Sequence, residues 1–224
     1  MEYAFTFRFL LSQADHDIEA LVERLGEAGC DDTLVGTGLL GRVALSFVRE
    51  ADSAKAAMVS ALSDARRAMP SATLIEAVPD LVGLTDIADA VGMSRQNMRK
   101  LMIGYPESFP APVHEGSTTL WHLLDVLVWL DQRDYSIDPI LLDVAATAMQ
   151  VNFARCASQV GAGVAGAGGV GATRHPRVRA AHASNAASLI PEVPESACCP
   201  GRSRRRTPEW SFPQSSAMAV AVPG

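Results

Sequence analysis

Cysteine is scarce in this 224-residue sequence, and the spacing of its four cysteines excludes two classes of protein. They are Cys30, Cys156, Cys198 and Cys199, and no two of them form a C-x-x-C pair. A vicinal pair is a poor clip for zinc, and a disulfide framework is not expected in a chain of this size. The sequence therefore predicts neither a zinc site nor a disulfide-stabilised fold.

Long apolar runs are lacking as well. No stretch approaches the roughly 20 apolar residues that are needed to span a bilayer. The first residues, Met1-Glu2-Tyr3, do not begin the basic and then apolar pattern of a signal peptide. We therefore expect a cytoplasmic protein with no membrane partner.

Positive charge is in short supply, because 19 Lys and Arg residues against 25 Asp and Glu residues give a formal net charge of -6. Residues 1–80 have 7 basic and 13 acidic residues, 81–134 have 4 and 7, and 135–224 have 8 and 5. Proteins that bind nucleic acid usually do so through a basic surface. Binding by this chain would have to rely on a few local cations, on a specific site and on a dimer.

Catalytic arrangements are also missing from the sequence. No combination of Ser, His and Asp, or of Cys and His, has the spacing of a known catalytic family. We therefore expect that the protein is not an enzyme and has no cofactor and no metal.

Two short motifs have more ordinary explanations than the chemistry they suggest. Residues 36–41 (GTGLLG) match the dinucleotide motif G-x-G-x-x-G, but they precede a predicted strand instead of the helix that such a site requires. A hairpin turn is the better interpretation. Residues 15–17 (DHD) could suggest a metal or acid–base cluster, but at the start of a predicted helix their carboxylates are expected to cap free amides.

The apolar periodicity of residues 1–80 predicts an α/β domain. Residues 3–11, 33–35, 42–48 and 73–78 are predicted strands, and 18–25 and 53–69 are predicted helices. The order β-α-β-β-α-β is the ferredoxin-like pattern, which places the chain in the α+β class.

Residues 84–102 are the most informative segment, because they predict two short helices joined by a tight turn. Ala88 is small where the helices must touch, and Gly92 lies where the backbone must turn. The apolar interior consists of Ile87, Val91, Met93, Met98 and Leu101. The second helix keeps a set of polar side chains that can bond to phosphates and base edges: Ser94, Arg95, Gln96, Asn97, Arg99 and Lys100.

The next segment, 109–121, predicts a short hairpin with its turn at residues 115–117. His114 is expected at the tip, where contact with phosphate or the minor groove and an ordinary exposed turn are equally good interpretations. An apolar helix follows over residues 123–130. Trp121 and Trp129 are interpreted as apolar anchors and His122 as a packing residue.

These motifs together resemble the MerR/excisionase (AlpA-like) winged helix-turn-helix family. The resemblance covers residues 82–132 and rests on G-L-T-D-I-A at 83–88, Ser94-Arg95, F-P-x-P-V at 109–113 and the Trp121 and Trp129 region. It implies that the second helix enters the major groove of double-stranded DNA and that the wing contacts the backbone or minor groove.

We accordingly expect a DNA-binding transcriptional regulator with a domain at 1–80 and a winged helix-turn-helix domain at 81–134. Bases would be read by Arg95, Gln96, Asn97 and Arg99. The backbone would be held by Ser94, Lys100 and the wing with His114.

Two alternatives stay open. Leu120 stands where the family commonly has an arginine, which together with the acidic balance favours a protein-interaction module that keeps only the scaffold. The N-terminal domain could instead hold a small-molecule effector. An excisionase or antitoxin-like role would be a variant of the DNA-binding hypothesis.

The last third of the chain has two expected parts. Residues 137–156 predict a helix that could pair with its copy in a homodimer. Residues 157–224 have no periodicity and predict a disordered, low-complexity tail, either genuine or a frameshift product. Its arginine cluster at 202–206 could bind nucleic acid non-specifically but is more simply incidental.

Overall fold

The computed structural model describes residues 1–166 and 218–221 of the chain. Within these residues it is a mixed α/β protein with six α-helices and a five-stranded antiparallel sheet. The first 78 residues follow the order strand, helix, strand, strand, helix, strand. Their elements are β1 (Glu2–Leu10), α1 (Ile18–Glu27), β2 (Thr33–Thr37), β3 (Arg42–Glu50), α2 (Ala54–Ala68) and β4 (Thr73–Val78), with a short 3-10 turn at Gln13–Asp15.

The second part of the chain is mostly helical. Its elements are β5 (Leu81–Val82), α3 (Leu84–Ala90), α4 (Arg95–Gly104), β6 (Trp121–His122), α5 (Leu123–Asp131), α6 (Pro139–Gly166) and β7 (Met218–Ala221). The two-residue strands β5 and β6 pair with each other, Leu81 opposite His122 and Val82 opposite Trp121. This two-residue pairing lies at the start of the helical part, directly after β4 of the large sheet. The sequence pattern does not predict it.

The strands of the large sheet lie in the order β4-β1-β3-β2-β7. Thr6 in the middle of β1 is opposite Ser46 of β3 and Val78 of β4, and Val35 of β2 is opposite Leu45 of β3. Because side chains alternate between the two faces of a strand, this register puts one apolar set on a single face.

That face forms the first hydrophobic core. The four aromatic residues of β1 that alternate at Tyr3, Phe5, Phe7 and Phe9 are all nearly inaccessible to solvent, as the period of two predicts. Phe47 of β3 stacks on Phe5, with ring centroids 5.4 Å apart. The inner stripe of α2 is built of alanines, which let the helix approach the aromatic rings closely: Ala54, Ala57, Ala61, Ala65 and Ala68.

Side-chain caps begin both helices of this part. Asp17 accepts a hydrogen bond from Ala20 N at 3.2 Å, and Ser53 accepts one from Ala56 N at 3.1 Å. Gly29 follows α1 with φ +82°, a conformation that glycine adopts without strain. These positions match the predicted helix boundaries.

The helix α6 covers most of the segment 137–156 that the sequence predicts to be helical. It runs to Gly166, ten residues past the predicted end, and its apolar side is used inside the chain. Val144 and Ala148 belong to the first core and Ala145 to the core of the helical part. The Asp143 carboxylate accepts a hydrogen bond from Ala54 N at 2.8 Å, so α6 also caps α2.

The predicted tail at 157–224 is also corrected in part. Residues 157–166 continue α6, and residues 218–221 form β7, which pairs antiparallel with β2. The remaining residues of that segment, including the arginine cluster at 202–206, lie outside the described residues. The added part of α6 has ten residues and β7 has four, and segments of this length are too short for an apolar pattern to predict them.

Candidate nucleic-acid interface

The turn between α3 and α4 is held by backbone hydrogen bonds and by one glycine. Gly92 N donates to Asp89 O at 3.1 Å and Met93 N donates to Ala88 O at 2.8 Å. Gly92 has φ +66°, which a residue with a side chain adopts only with strain. Ala88 is fully buried, as expected where two helices touch. The short unit is therefore set by two small residues, in agreement with the sequence pattern.

Each helix of this unit has its own N-terminal support. Gly83 N donates to the Asp86 carboxylate at 3.0 Å at the start of α3. At the start of α4 the Ser94 hydroxyl accepts a hydrogen bond from Asn97 N at 3.2 Å. Met98 is completely buried in the second core. The cap and the buried methionine fix how α4 rotates about its axis.

That rotation leaves the polar residues of α4 in solvent. All six members of what we call the recognition surface are exposed: Ser94, Arg95, Gln96, Asn97, Arg99 and Lys100. None of them points into the interior, and none is covered by the first 80 residues. Within the described residues, Arg95, Arg99 and Lys100 form no salt bridge with any carboxylate.

The arginines of the N-terminal part behave differently. Arg49 binds the carboxylates of Asp32 and Asp64 at 2.6 and 2.7 Å, and Arg67 binds Asp64 at 2.8 Å. Arg24 binds Asp15 at 2.9 Å. These three arginines are thus occupied by structural ion pairs, whereas the three cations of α4 keep their charge available.

The segment 113–120, which we call the wing, is closed by a single bridge. His114 and Leu120 exchange backbone hydrogen bonds, with Leu120 N donating to His114 O at 3.0 Å. His114 therefore lies at the base of the turn. The sequence pattern predicts it at the tip, and that prediction is wrong. Its ring folds over Gly116, where an added Cβ would come within 2.8 Å of His114 Nε2. Gly116 is needed for this ring position.

An aromatic cluster connects the wing to α4 and α5. Phe109 lies 5.0 Å from Trp129 and 6.2 Å from Trp121 between ring centroids. Trp121 Nε1 donates to Pro110 O at 3.1 Å. The Arg133 guanidinium covers the Trp129 ring at 3.8 Å. Trp121 and Trp129 are buried in the core, so neither offers a ring face for base stacking.

His122 does more than pack. Its Nδ1 lies 2.6 Å from Asp80 Oδ1, and Asn152 Nδ2 of α6 donates to Asp80 Oδ2 at 2.7 Å. Its ring also meets Phe153 of α6 at 5.4 Å between centroids. These contacts, which we call the polar junction, join the wing strand β6 to α6. Sequence reasoning missed the junction because its three polar members are far apart along the chain.

The two short motifs of the N-terminal part take the structural roles predicted for them, with one difference. Residues 36–41 connect β2 to β3 and no helix follows them, so they form a hairpin turn. Asp17 caps α1, but Asp15 is buried and does not cap. It accepts hydrogen bonds from Ser12 and Arg24, and these lower the pKa of its carboxyl below the ordinary value of 3.8.

Other kinds of site receive little support in the described part of the chain. It contains no group of three His, Cys, Asp or Glu side chains placed to hold a metal ion. None of its helices has both the length and the apolar character needed to cross a bilayer. A cleft beside the 36–41 turn has a volume of about 200 Å³, below the roughly 300 Å³ at which ligand pockets usually begin. A larger cleft of about 480 Å³ is lined by residues of α2 alone, among them Leu62 and Arg66.

Comparison with known proteins gives no further guidance. No protein-family model, no curated protein and no solved structure matches the chain.

Proposed function

We propose that the chain is a sequence-specific DNA-binding protein that acts as a transcriptional regulator. In this proposal residues 1–80 form a ferredoxin-like domain, supported by the strand order β4-β1-β3-β2. Residues 81–134 form a winged helix-turn-helix domain of the MerR/excisionase type, supported by the bihelical unit and the bridged wing.

The observation that carries the proposal is the recognition surface. One capped helix presents three cations and two side-chain amides to solvent while its apolar side is buried. Arginine can pair bidentately with guanine, and glutamine or asparagine with adenine, each at about 1–3 kcal/mol of discrimination. Arg95, Gln96, Asn97 and Arg99 would read bases, and Ser94, Lys100 and His114 would contact the backbone.

The acidic surface sets a limit on how one copy can bind. Residues 81–134 have 4 basic and 7 acidic residues, so long-range attraction to the phosphates is weak. Two or three base contacts are too few for tight binding at cellular salt. A second copy would add the same contacts at a half-site one helical turn along the duplex, so the function requires a homodimer.

Selection of bound oligonucleotides from a random pool tests the proposal directly. We expect an enriched motif with two half-sites, and a binding constant whose logarithm falls linearly with the logarithm of salt concentration. Arg95→Ala and Asn97→Ala should each lose discrimination at one base position by about 1–3 kcal/mol without changing the melting temperature. Arg66→Ala, which removes an exposed cation from α2, is the matched control and should bind like the wild type.

Failure to enrich any motif, or equal effects of Arg95→Ala and Arg66→Ala, would contradict the proposal. The alternative is then a protein-interaction module. Ile103 at 60% exposure and Val113 at 52% are large apolar side chains next to the recognition surface, which favours a protein partner over solvent. Binding that resists salt would distinguish this alternative.

A further inference from the structure

The large sheet has a second face that no described helix covers. We call it the outer sheet face, and its centre consists of Ala4, Thr6, Ala44, Ser46, Val48 and Val78, which the strand register places side by side. None of its apolar members packs in either hydrophobic core. Val48 lies on β3, which has a neighbouring strand on each side, and is still 56% exposed. The helices of the first core, α1, α2 and α6, pack on the opposite side, in the same core as the aromatic residues of β1.

The composition of this face is unusual for a sheet surface in water. A solvated face of an antiparallel sheet normally carries polar and charged side chains. Here the centre is small and uncharged, and the Thr6 and Ser46 hydroxyls satisfy each other at 3.0 Å. Arg8 and Glu76, which flank this centre, form an ion pair with each other. Water can therefore be removed from the centre of this face without leaving an unpaired charge there.

The two ends of the face carry opposite charges. Glu2 of β1 lies directly opposite Glu50 of β3, and like charges opposite each other on neighbouring strands are destabilising. No salt bridge within the described residues relieves either carboxylate. At the other end Arg42 lies opposite Leu10, exposed and also without a salt bridge in the described residues. The first end has the Met1 ammonium, which donates to Ala51 O at 3.0 Å, but within the described residues no side-chain cation pairs with its carboxylates, and no carboxylate pairs with Arg42 at the second end.

We propose that a second copy of the chain packs on the outer sheet face, face to face, about a two-fold axis. The axis lies parallel to the sheet, runs across the strands and passes over Thr6 and Ser46. Rotation about it reverses the strand direction, so Glu2 and Glu50 of one protomer meet Arg42 of its partner, twice by symmetry. The partner thus supplies the missing cation at one end and the missing anion at the other.

The size of the face agrees with a dimer of modest affinity. The strands β1, β2, β3 and β4 contain 9, 5, 9 and 6 residues. With about 3.4 Å per residue and about 4.8 Å between strands, the face covers roughly 470 Å² per copy. Two copies bury about 950 Å², below the roughly 1,200 Å² at which standard stable interfaces begin and in the range of weak, transient complexes. The inference does not depend on DNA binding, because it concerns the oligomeric state of the free protein.

Sedimentation velocity of the full chain over about 1–100 µM, the concentrations at which a weak dimer dissociates, tests the interface. We expect a concentration-dependent dimer in the wild type. Val48→Glu should weaken the dimer by about tenfold or more, because it places a charge in a dry centre. Val59→Glu is the matched control, because Val59 is 59% exposed on α2, away from the outer sheet face. The dimer affinity of this variant should equal that of the wild type.

Charge reversal tests the axis independently of the centre. Arg42→Glu should weaken the dimer, and Arg42→Glu combined with Glu2→Arg and Glu50→Arg should restore it, because the proposed rotation pairs the two ends. A monomer at all concentrations would overturn the proposal. So would equal effects of Val48→Glu and Val59→Glu, and a charge swap without recovery would overturn the axis. These outcomes are separate from any result of the oligonucleotide selection.

Discussion

Gly92 illustrates how one backbone position limits the choice of side chain in the turn between α3 and α4. A Cβ added there meets no atom within 4 Å, so a substitution is not blocked by space. The φ of +66° is the obstacle. We expect Gly92→Ala to lower the free energy of unfolding by about 1–2 kcal/mol, and Gly92→Val to lower it further because its side chain is β-branched.

Gly104 provides the matched control on the same unit. It is the last residue of α4, its added Cβ also meets nothing within 4 Å, and its φ is not positive. Gly104→Ala should therefore leave stability unchanged or raise it by up to about 1 kcal/mol. Urea unfolding of both variants gives the two changes. Equal destabilisation by both would show that the strained turn is not what limits position 92.

Single residues that act locally were the part of the site that the sequence could predict. The roles of Gly92, Ser94 and Asp17 follow from neighbours within three positions along the chain, because caps and tight turns are local structures. Asp15 could not be separated from Asp17 in this way. Its partner Arg24 lies nine positions away, and whether it caps or pairs depends on how α1 packs.

At the scale of whole elements, α6 is held in place by Asn152. Its amide oxygen accepts a hydrogen bond from Ala77 N and its amide nitrogen donates to Ala77 O, both at 2.8 Å. The side chain thereby takes the place of a neighbouring strand along the edge of β4, while it also binds Asp80. Because antiparallel edge strands present free backbone groups, this contact closes part of one edge of the sheet.

We expect Asn152→Ala to lower the free energy of unfolding by about 2–3 kcal/mol, because it leaves the backbone groups of buried Ala77 without partners. Gln150→Ala is the control, since Gln150 is exposed on the same helix and should change stability by less than about 0.5 kcal/mol. Hydrogen exchange of the Ala77 amide should speed up only in the first variant. An unchanged rate there would mean that the Asn152 contact is not formed in solution.

The elements themselves were predictable where their periodicity is strong, as in β1, α2 and β4. Their partners were not. The polar junction joins residues 42 and 72 positions apart, and a single sequence contains no signal for such pairs. For the same reason the apolar stripe of α6 predicted a buried face but not whether a second copy or the same chain would bury it.

At the scale of the molecule, α6 contributes buried residues to both hydrophobic cores. Its neighbouring residues Val144 and Ala145 belong to different cores, so neither core can lose α6 without exposing apolar surface of the other. The local charge pattern is also a property of the whole chain: ion pairs occupy several arginines of the first part, whereas the three neighbouring cations of α4 stay unpaired within the described residues. Composition alone, which gives -6 for the chain, could not show this.

Cooperativity can be measured because the described tryptophans, Trp121 and Trp129, lie in the helical part, whereas Phe7 lies in the core under the sheet. Phe7→Ala should cost about 3–5 kcal/mol of unfolding free energy. If α6 couples the cores, the urea midpoint of tryptophan fluorescence should fall together with that of far-ultraviolet circular dichroism. Trp210 lies outside the described residues, so Trp210→Phe serves as the reference background. A tryptophan midpoint that stays at its original value while the dichroism midpoint falls would mean that the two parts unfold independently, and that α6 only touches both.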